Sequence, residues 1–259
     1  MMTQLIVTDL DRTLLRSDKS ISPFTAQVLS RCRAAGIKLV FATARAKRTA
    51  LHFAQNIAVD ARILHNGAVV YIDKTLVLHH GIASHDTNEI LRAISRDYPQ
   101  ATLAVEIDDT LYANFDISAV WSYTPVVWRD FTDLPDKPAD KILVGISATE
   151  DIACYEKYLP ENIYIQASEE TVGMIMNRAA TKWNAIRHLA KHWGIPTANI
   201  VAFGDDWNDI DMLRHCGMGV AVANALPQVK AAANAICASN DEDGVAQWLQ
   251  QHVLQEDTA

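Results

Sequence analysis

Short apolar runs alternate with amphipathic segments at both ends of this chain, and that alternation restricts the available folds more than any other feature. Leu5-Ile6-Val7 is apolar throughout, as suits a central strand of a parallel sheet buried on both faces. The pattern then predicts a helix over 20–35, with Pro23 in its first turn and Gly36 at its end. Strands at 37–42 and 62–65 flank a second helix that runs to about Asn56. Asn66-Gly67 signals a turn, and 69–72 with 76–78 around Asp73-Lys74 reads as a hairpin. From Thr181 the rhythm resumes: a helix to Trp193, a strand at 200–203, a helix ending at Gly217, a strand at 218–222, and the segment 226–233. A short strand near Ile236-Cys237 and a helix over 244–254 finish it. Such alternation specifies a doubly wound α/β domain built on a parallel sheet.

The middle of the chain reads differently. A helix over 85–98, strands at 102–107 and 111–114, a strand at 141–146, a helix over 150–158 and strands at 163–166 and 172–176 form an α+β pattern. The expected organisation is therefore a core of residues 1–81 and 179–259 with a second domain, 82–178, inserted into it. Trp121, Tyr123 and Trp128 fall in a stretch with no assigned element. They could line a substrate cavity or pack a core.

A formal net charge of −8 argues against general affinity for nucleic acid or anionic membranes, so any phosphate site must be local. No apolar run approaches the length of a bilayer span, and no basic region precedes an apolar segment near Met1, which leads to the expectation of a cytoplasmic protein. Cys32, Cys154, Cys216 and Cys237 are scattered, without zinc or redox spacing, and read as reduced core thiols.

In open parallel sheets, ligands sit beyond the carboxyl ends of the strands. That rule collects Asp9 and Asp11 after the first strand, Thr43 after the second, and Asp205, Asn208 and Asp209 after the strand at 200–203. Two neighbouring acids disfavour each other's ionisation, a cost a bound cation would offset; they could equally begin a solvated turn. Asp9, Asp11 and Asp205 supply the all-oxygen surroundings that Mg2+ prefers. Thr43 stands where a helix begins and could cap it or bind phosphate there. Lys182 opens a helix, where a cation opposes the macrodipole unless an anion is near or the side chain reaches water. His188 and His192 are four apart on a helix but show no third metal ligand, and the sequence offers His65 and His79-His80 no companion metal ligands either. Asp206 and Asp211 read as secondary, and Trp207 could wedge between the core and the inserted domain.

Taken together, these features resemble the four motifs of the haloacid dehalogenase superfamily, over nearly the whole chain. Asn66-Gly67-Ala68, the insertion, Asn224-Ala225 and Asp243-Gly244-Val245 resemble its Cof-type group, subfamily IIB. The resemblance implies a Rossmann-like core with an inserted α+β cap and a magnesium-dependent phosphatase acting on a small phosphate ester. The competing readings are a phosphomutase and a non-catalytic phospholigand-binding regulator. It also implies that Asp9 is the nucleophile and Asp11 the acid and base. Leu10, Thr43, Ala44, Arg45, Asn66, Lys182 and Asn208 would meet phosphate or substrate. Asp9, Asp11 through its carbonyl, Asp205 and Asp209 would serve the metal. A monomer or small homo-oligomer is expected. Two departures stand out: Arg12 and Ala44 occupy positions where the family usually has glycine.

Overall fold

The chain was analysed as a computed structural model that describes residues 2–54, 57–116, 126–168 and 171–254. Its first strand, β1 (Leu5–Thr8), is buried along its whole length. Ser22 then starts α1 (Pro23–Ala34) by accepting a hydrogen bond at its hydroxyl from the Thr25 amide, 3.0 Å away, with proline in the first turn. The chain continues through β2 (Lys38–Ala42), α2 (Lys47–Ala54) and β3 (Ala61–Leu64), then through β4 (Val69–Ile72) and β5 (Thr75–His79), joined at a turn in which Asp73 is left-handed. The expected end of the second helix, near Asn56, lies outside the described residues.

The inserted stretch holds α3 (Ser84–Asp97), β6 (Leu103–Ile107), β7 (Thr110–Ala113), β8 (Val126–Trp128), β9 (Lys141–Gly145), α4 (Ala153–Glu156), β10 (Ile163–Ser168) and β11 (Val172–Asn177). The chain then returns through α5 (Lys182–Trp193), β12 (Ile200–Gly204), α6 (Ile210–His215), β13 (Met218–Val222), α7 (Pro227–Ala232), β14 (Ala235–Cys237) and α8 (Gly244–His252). It divides into two compact units, Met1–Leu78 with Thr181–Ala259, and His79–Ala180.

In the first unit the described strands form one sheet in the order β14-β13-β12-β1-β2-β3-β4-β5. It is parallel from β14 to β3, and β4 runs antiparallel to β3. β1 lies between β2 and β12, with Val7 opposite Val40 on one side and Ala202 on the other. Because these three strands are parallel, Asp9, Thr43 and Asp205 all emerge at one edge of the sheet.

In the second unit the sheet order is β10-β11-β9-β6-β7-β8, antiparallel except for the parallel pairing of β7 with β8. Its core gathers Ile90 and Ile94 of α3 with Val105, Ile142, Val144 and Ile175 of the sheet. Two local expectations change here. The helix over 150–158 becomes a 3-10 turn at Thr149–Ile152 followed by the single turn of α4. Asp151 takes the Ser147 and Ala148 amides on its carboxylate, which fixes a capped turn instead of a continuous helix. Val126–Trp128, unassigned from sequence, is an edge strand, with Trp128 exposed. Trp121 and Tyr123 lie outside the described residues.

Candidate active site

The loop leaving β1 is a wide turn, closed by the Leu15 amide donating to the Leu10 carbonyl over 2.7 Å. Asp9 and Asp11 are both extended, whereas Arg12 is left-handed at φ 58°. This is the conformation glycine adopts without steric cost, which fits the glycine that the resemblance leads one to expect where this chain has Arg12. Asn224 steadies the residue by donating from its side-chain amide to the Arg12 carbonyl over 2.7 Å.

The turn sends the two acids to different partners. The Asp9 Oδ1 accepts a 2.6 Å hydrogen bond from Lys182 Nζ, and the same ammonium donates to Asp209 Oδ1, also over 2.6 Å. Lys182, Asp9 and Asp209 are all buried. Burial works against the lysine charge, but Asp209 and Asp9 outweigh it and hold the ammonium above the ordinary lysine range. The helix-opening position of Lys182 is thus explained by two carboxylates instead of by solvent. Its helix is started by Thr181, whose hydroxyl accepts from the Asn184 amide over 3.1 Å. Gly67 fixes where that start lies: it is left-handed, and a Cβ there would fall 2.2 Å from the Thr181 carbonyl oxygen.

Asp205 completes the group. Among the described residues Asp9, Asp205 and Asp209 are the acids whose ligand atoms all lie within 4.8 Å of one another. Thr13 donates its hydroxyl to Asp205 Oδ1 over 2.7 Å. Burial, reinforced by Asp209 and Asp206, nevertheless pushes the Asp205 carboxyl up to about 6. Burial likewise raises Asp9 well above the usual carboxylate range, with Asp209 and Asp205 adding to it and Lys182 opposing. Asp209 is anchored on its other oxygen by the Asp205 and Asp206 amides, at 2.9 and 3.1 Å. Gly204 leaves room for it, since a Cβ there would meet the Asp209 carboxyl carbon at 2.5 Å.

Asp11 faces another environment. Arg45 grips both its oxygens, Nε to Oδ2 over 2.5 Å and Nη2 to Oδ1 over 2.6 Å, while Lys19 Nζ adds a 2.9 Å bond to Oδ1. Burial alone would raise this carboxyl, but the Arg45 and Lys19 bonds outweigh burial and hold it below the ordinary range. Its carboxylate is not one of the three clustered acids.

The turns after β2 and β3 are stitched together beside these groups. The Asn66 amide donates to the Thr43 carbonyl over 3.0 Å, and the His65 amide to the Arg45 carbonyl over 3.1 Å. Thr43 is buried, and its hydroxyl accepts from the Arg45 amide over 3.1 Å, as a cap would. Ala44, between them, is half-buried, and Leu10 is buried. Asn208 donates to Asn66 Oδ1 over 2.7 Å, and its own Oδ1 is buried without a partner. Asp206 caps the short turn over Trp207–Asp209, while Trp207 and Asp211 are exposed.

Three carboxylates against the one buried ammonium, with the exposed Arg12 guanidinium 3.9 Å from Asp205 Oδ2 as the further cation in reach, leave the buried group with an excess of negative charge. A divalent cation of the oxygen-preferring kind fits that excess and that donor set. Thr13 and Lys19 are site residues that sequence reasoning missed. Thr13 left a signal, a polar residue buried next to Leu14-Leu15, whereas Lys19 left none.

The haloacid dehalogenase-like hydrolase family model matches residues 6–249. The chain belongs to that family. As a haloacid dehalogenase-like hydrolase it is an enzyme of the phosphatase kind, acting on phosphate esters. A Haemophilus influenzae protein provisionally named a phosphatase is 30% identical over 261 residues, covering 97% of this chain and 98% of its own. The 5-amino-6-(5-phospho-D-ribitylamino)uracil phosphatase YitU of Bacillus subtilis is 28% identical over 263 residues, covering 96% and 97%. Among solved structures, the subclass IIB sugar phosphatase BT4131 shares the fold at a TM-score of 0.79 and 23% identity, covering 96% of this chain and 98% of that one. Among the described residues, no helix is long and apolar enough to cross a membrane.

Proposed function

We propose that the chain is a magnesium-dependent phosphatase that hydrolyses small phosphomonoesters, sugar phosphates or phosphorylated cofactors, through an aspartyl-phosphate on Asp9. The observation that carries this reading is Lys182 bridging Asp9 and Asp209, with Asp205 alongside, at the carboxyl edge of the parallel sheet. The names of the Bacillus subtilis relative and of the sugar phosphatase support a small phosphate ester as substrate.

Lys182 occupies Asp9 Oδ1 and orients the carboxylate so that Oδ2 attacks phosphorus. As the new P–O bond forms, the ester P–O bond breaks, and the departing oxygen leaves with the electron pair and takes a proton from Asp11. Water then attacks phosphorus, gives a proton to Asp11 and releases inorganic phosphate and the Asp9 carboxylate. Thr43 and Lys182, with Leu10, Ala44 and Asn208 around them, stabilise the charge on the transferring phosphoryl oxygens. Asp9, Asp205, Asp209 and the Asp11 carbonyl would hold Mg2+, whose charge offsets the repulsion between these carboxylates and an incoming phosphate. Paired with Arg45 and Lys19, Asp11 is held ionised with both oxygens engaged, so to give a proton to the leaving oxygen or take one from water it must first exchange those partners. We read 82–178 as the family's cap and the protein as cytoplasmic, monomeric or a small homo-oligomer.

Hydrolysis of a generic aryl phosphate, with and without magnesium, tests the reading. Turnover should require the metal and disappear in Asp9→Asn. Undiminished turnover in Asp9→Asn would exclude the nucleophile, and inactivity across a broad phosphate panel would exclude the enzyme. With a hexose 1-phosphate, release of inorganic phosphate identifies hydrolysis and an isomerised sugar phosphate identifies a mutase.

A further inference from the structure

Asn224 and Asp243 lie in the two stretches that resemble the Cof-type group, yet neither stands among the acids, the lysine or the threonine of the site. Both grip the loop that carries Asp11. The side-chain amide of Asn224 donates to the Arg12 carbonyl over 2.7 Å, and its Oδ1 accepts from the Asn240 backbone amide over 3.0 Å. The second bond decides which end of the Asn224 amide faces Arg12, because a backbone N–H needs an oxygen. Asn240 is buried and donates its own side-chain amide to the Leu15 carbonyl over 3.0 Å. Two linked asparagines thus hold the carbonyls on either side of Thr13 and Leu14. Further along, Arg16 forks both oxygens of Asp243 over 3.2 and 2.6 Å, and Ser17 donates to Asp241 from its amide and its hydroxyl. The turn that holds Asn224 also reaches the clustered acids, since the Leu226 amide donates to the Asp205 carbonyl over 3.0 Å.

We infer that Asn224 is a positioning residue for Asp11, holding the left-handed bend at Arg12 so that the acid stands where the leaving oxygen departs. The inference rests on the phosphatase reading, in which Asp11 gives that oxygen its proton. The chain turns at Arg12 immediately after Asp11, and an arginine has no preference of its own for a φ of 58°. A group outside the residue must hold the bend. The loop's closing bond runs from the Leu15 amide to the Leu10 carbonyl and leaves the Arg12 carbonyl to Asn224. Asn240 fixes Asn224 in turn, and Asp243 anchors Arg16, so the rest of the loop is not free to slide. Without the donor at 224 the peptide between Arg12 and Thr13 can turn, which changes the direction in which the chain presents Asp11. Asp9 is held by other means: its amide donates to the Phe203 carbonyl over 3.0 Å, and Lys182 holds its carboxylate. Relaxing the bend therefore disturbs the acid and spares the nucleophile.

The leaving group supplies the test. As the ester P–O bond breaks, the departing oxygen keeps the electron pair and takes the Asp11 proton; an alkoxide needs that proton, whereas 4-nitrophenolate is a stable anion without it. The measurement is kcat/KM in magnesium buffer, which covers the steps through ester cleavage, for 4-nitrophenyl phosphate and for the alkyl phosphate that the wild-type enzyme cleaves best in a sugar phosphate panel. Asn224→Asp keeps an oxygen for the Asn240 amide and loses the donor to Arg12, while Asn224→Ala loses both. In each variant kcat/KM should fall about tenfold further for the alkyl ester than for the nitrophenyl ester, a split in the same direction as that of Asp11→Asn. A role in stability alone would reduce the amount of folded enzyme and lower both values together, so equal losses for the two esters, or none, would overturn the inference. It would also fall if the wild-type enzyme cleaved 4-nitrophenyl phosphate and no alkyl ester, because no acid would then be at work. Failure of the phosphatase reading is seen separately, as release of phosphate from no ester by the wild-type chain.

Discussion

The pH and metal dependence of Asp205 gives the sharpest quantitative expectation. Its carboxyl is buried and pushed up to about 6 from an ordinary 3.8. The native state therefore holds the Asp205 proton more tightly than the unfolded chain does, so stability is lost as pH rises from about 4 through about 6 and stays lost above. A shift of about two units corresponds to about 3 kcal/mol at pH 7 in the absence of metal. Asp205→Asn removes the charge and keeps an oxygen to accept from Thr13, so the metal-free variant should be about 2–3 kcal/mol more stable than wild type at pH 7. By pH 4.5 that advantage should shrink to about 1 kcal/mol, because wild-type Asp205 is then mostly protonated when folded. Urea denaturation in chelator, followed by tryptophan fluorescence, measures this. Trp183, Trp193, Trp207 and Trp248 all belong to the first unit, so the signal weights its transition. Adding magnesium should reverse the order, since wild type gains binding free energy that the variant lacks. If Asp205→Asn is neutral or destabilising in chelator at pH 7, the argument that buried carboxylate repulsion makes room for a cation fails.

The remaining expectations follow the same geometry. Lys182→Met strands Asp9 and Asp209 without their shared cation and should cost about 3–5 kcal/mol in metal-free protein, measured by the same denaturation, with phosphatase turnover lost. Gly204→Ala forces a Cβ into the Asp209 carboxyl and should destabilise by about 1–3 kcal/mol, with a lowered kcat in phosphate-release assays. Arg12→Val places a branched side chain at a left-handed φ and should lower the denaturation midpoint, whereas Arg12→Gly should hold or raise it. Equal midpoints for the two variants would show that this backbone is not strained.

Much of this architecture is legible because strands and their ends obey local rules. The apolar run at Leu5 and the acids after it, like Gly204-Asp205, follow from burial on both faces and from the convergence of parallel strand ends. The inward turn of Lys182 is not legible from its helix alone, where a cation capped by two acids and one pointing into water look alike. β8 is hidden because it is three residues long, lies at an edge, and pairs with a strand across a stretch of irregular sequence. The partners of Asp11 are hidden for a different reason. Lys19, later in the same connection as Asp11, and Arg45, in the connection after β2, reach it through side-chain directions that neither periodicity nor spacing encodes.

The position of β1 has a consequence for synthesis. One of its two neighbours, β2, follows it closely, but the other, β12, is encoded only after the whole inserted unit. A chain leaving the ribosome therefore carries Asp9 just past a strand with one unsatisfied edge, buried along its whole length in the finished fold, until about two hundred residues have emerged. Lys182 and Asp209 arrive in that same late stretch, so the nascent first half can neither complete its sheet nor supply the ammonium that pairs with Asp9. Truncations ending before Gly204 should therefore aggregate or recruit chaperones, while the inserted unit, whose described strands pair among themselves, has no such wait.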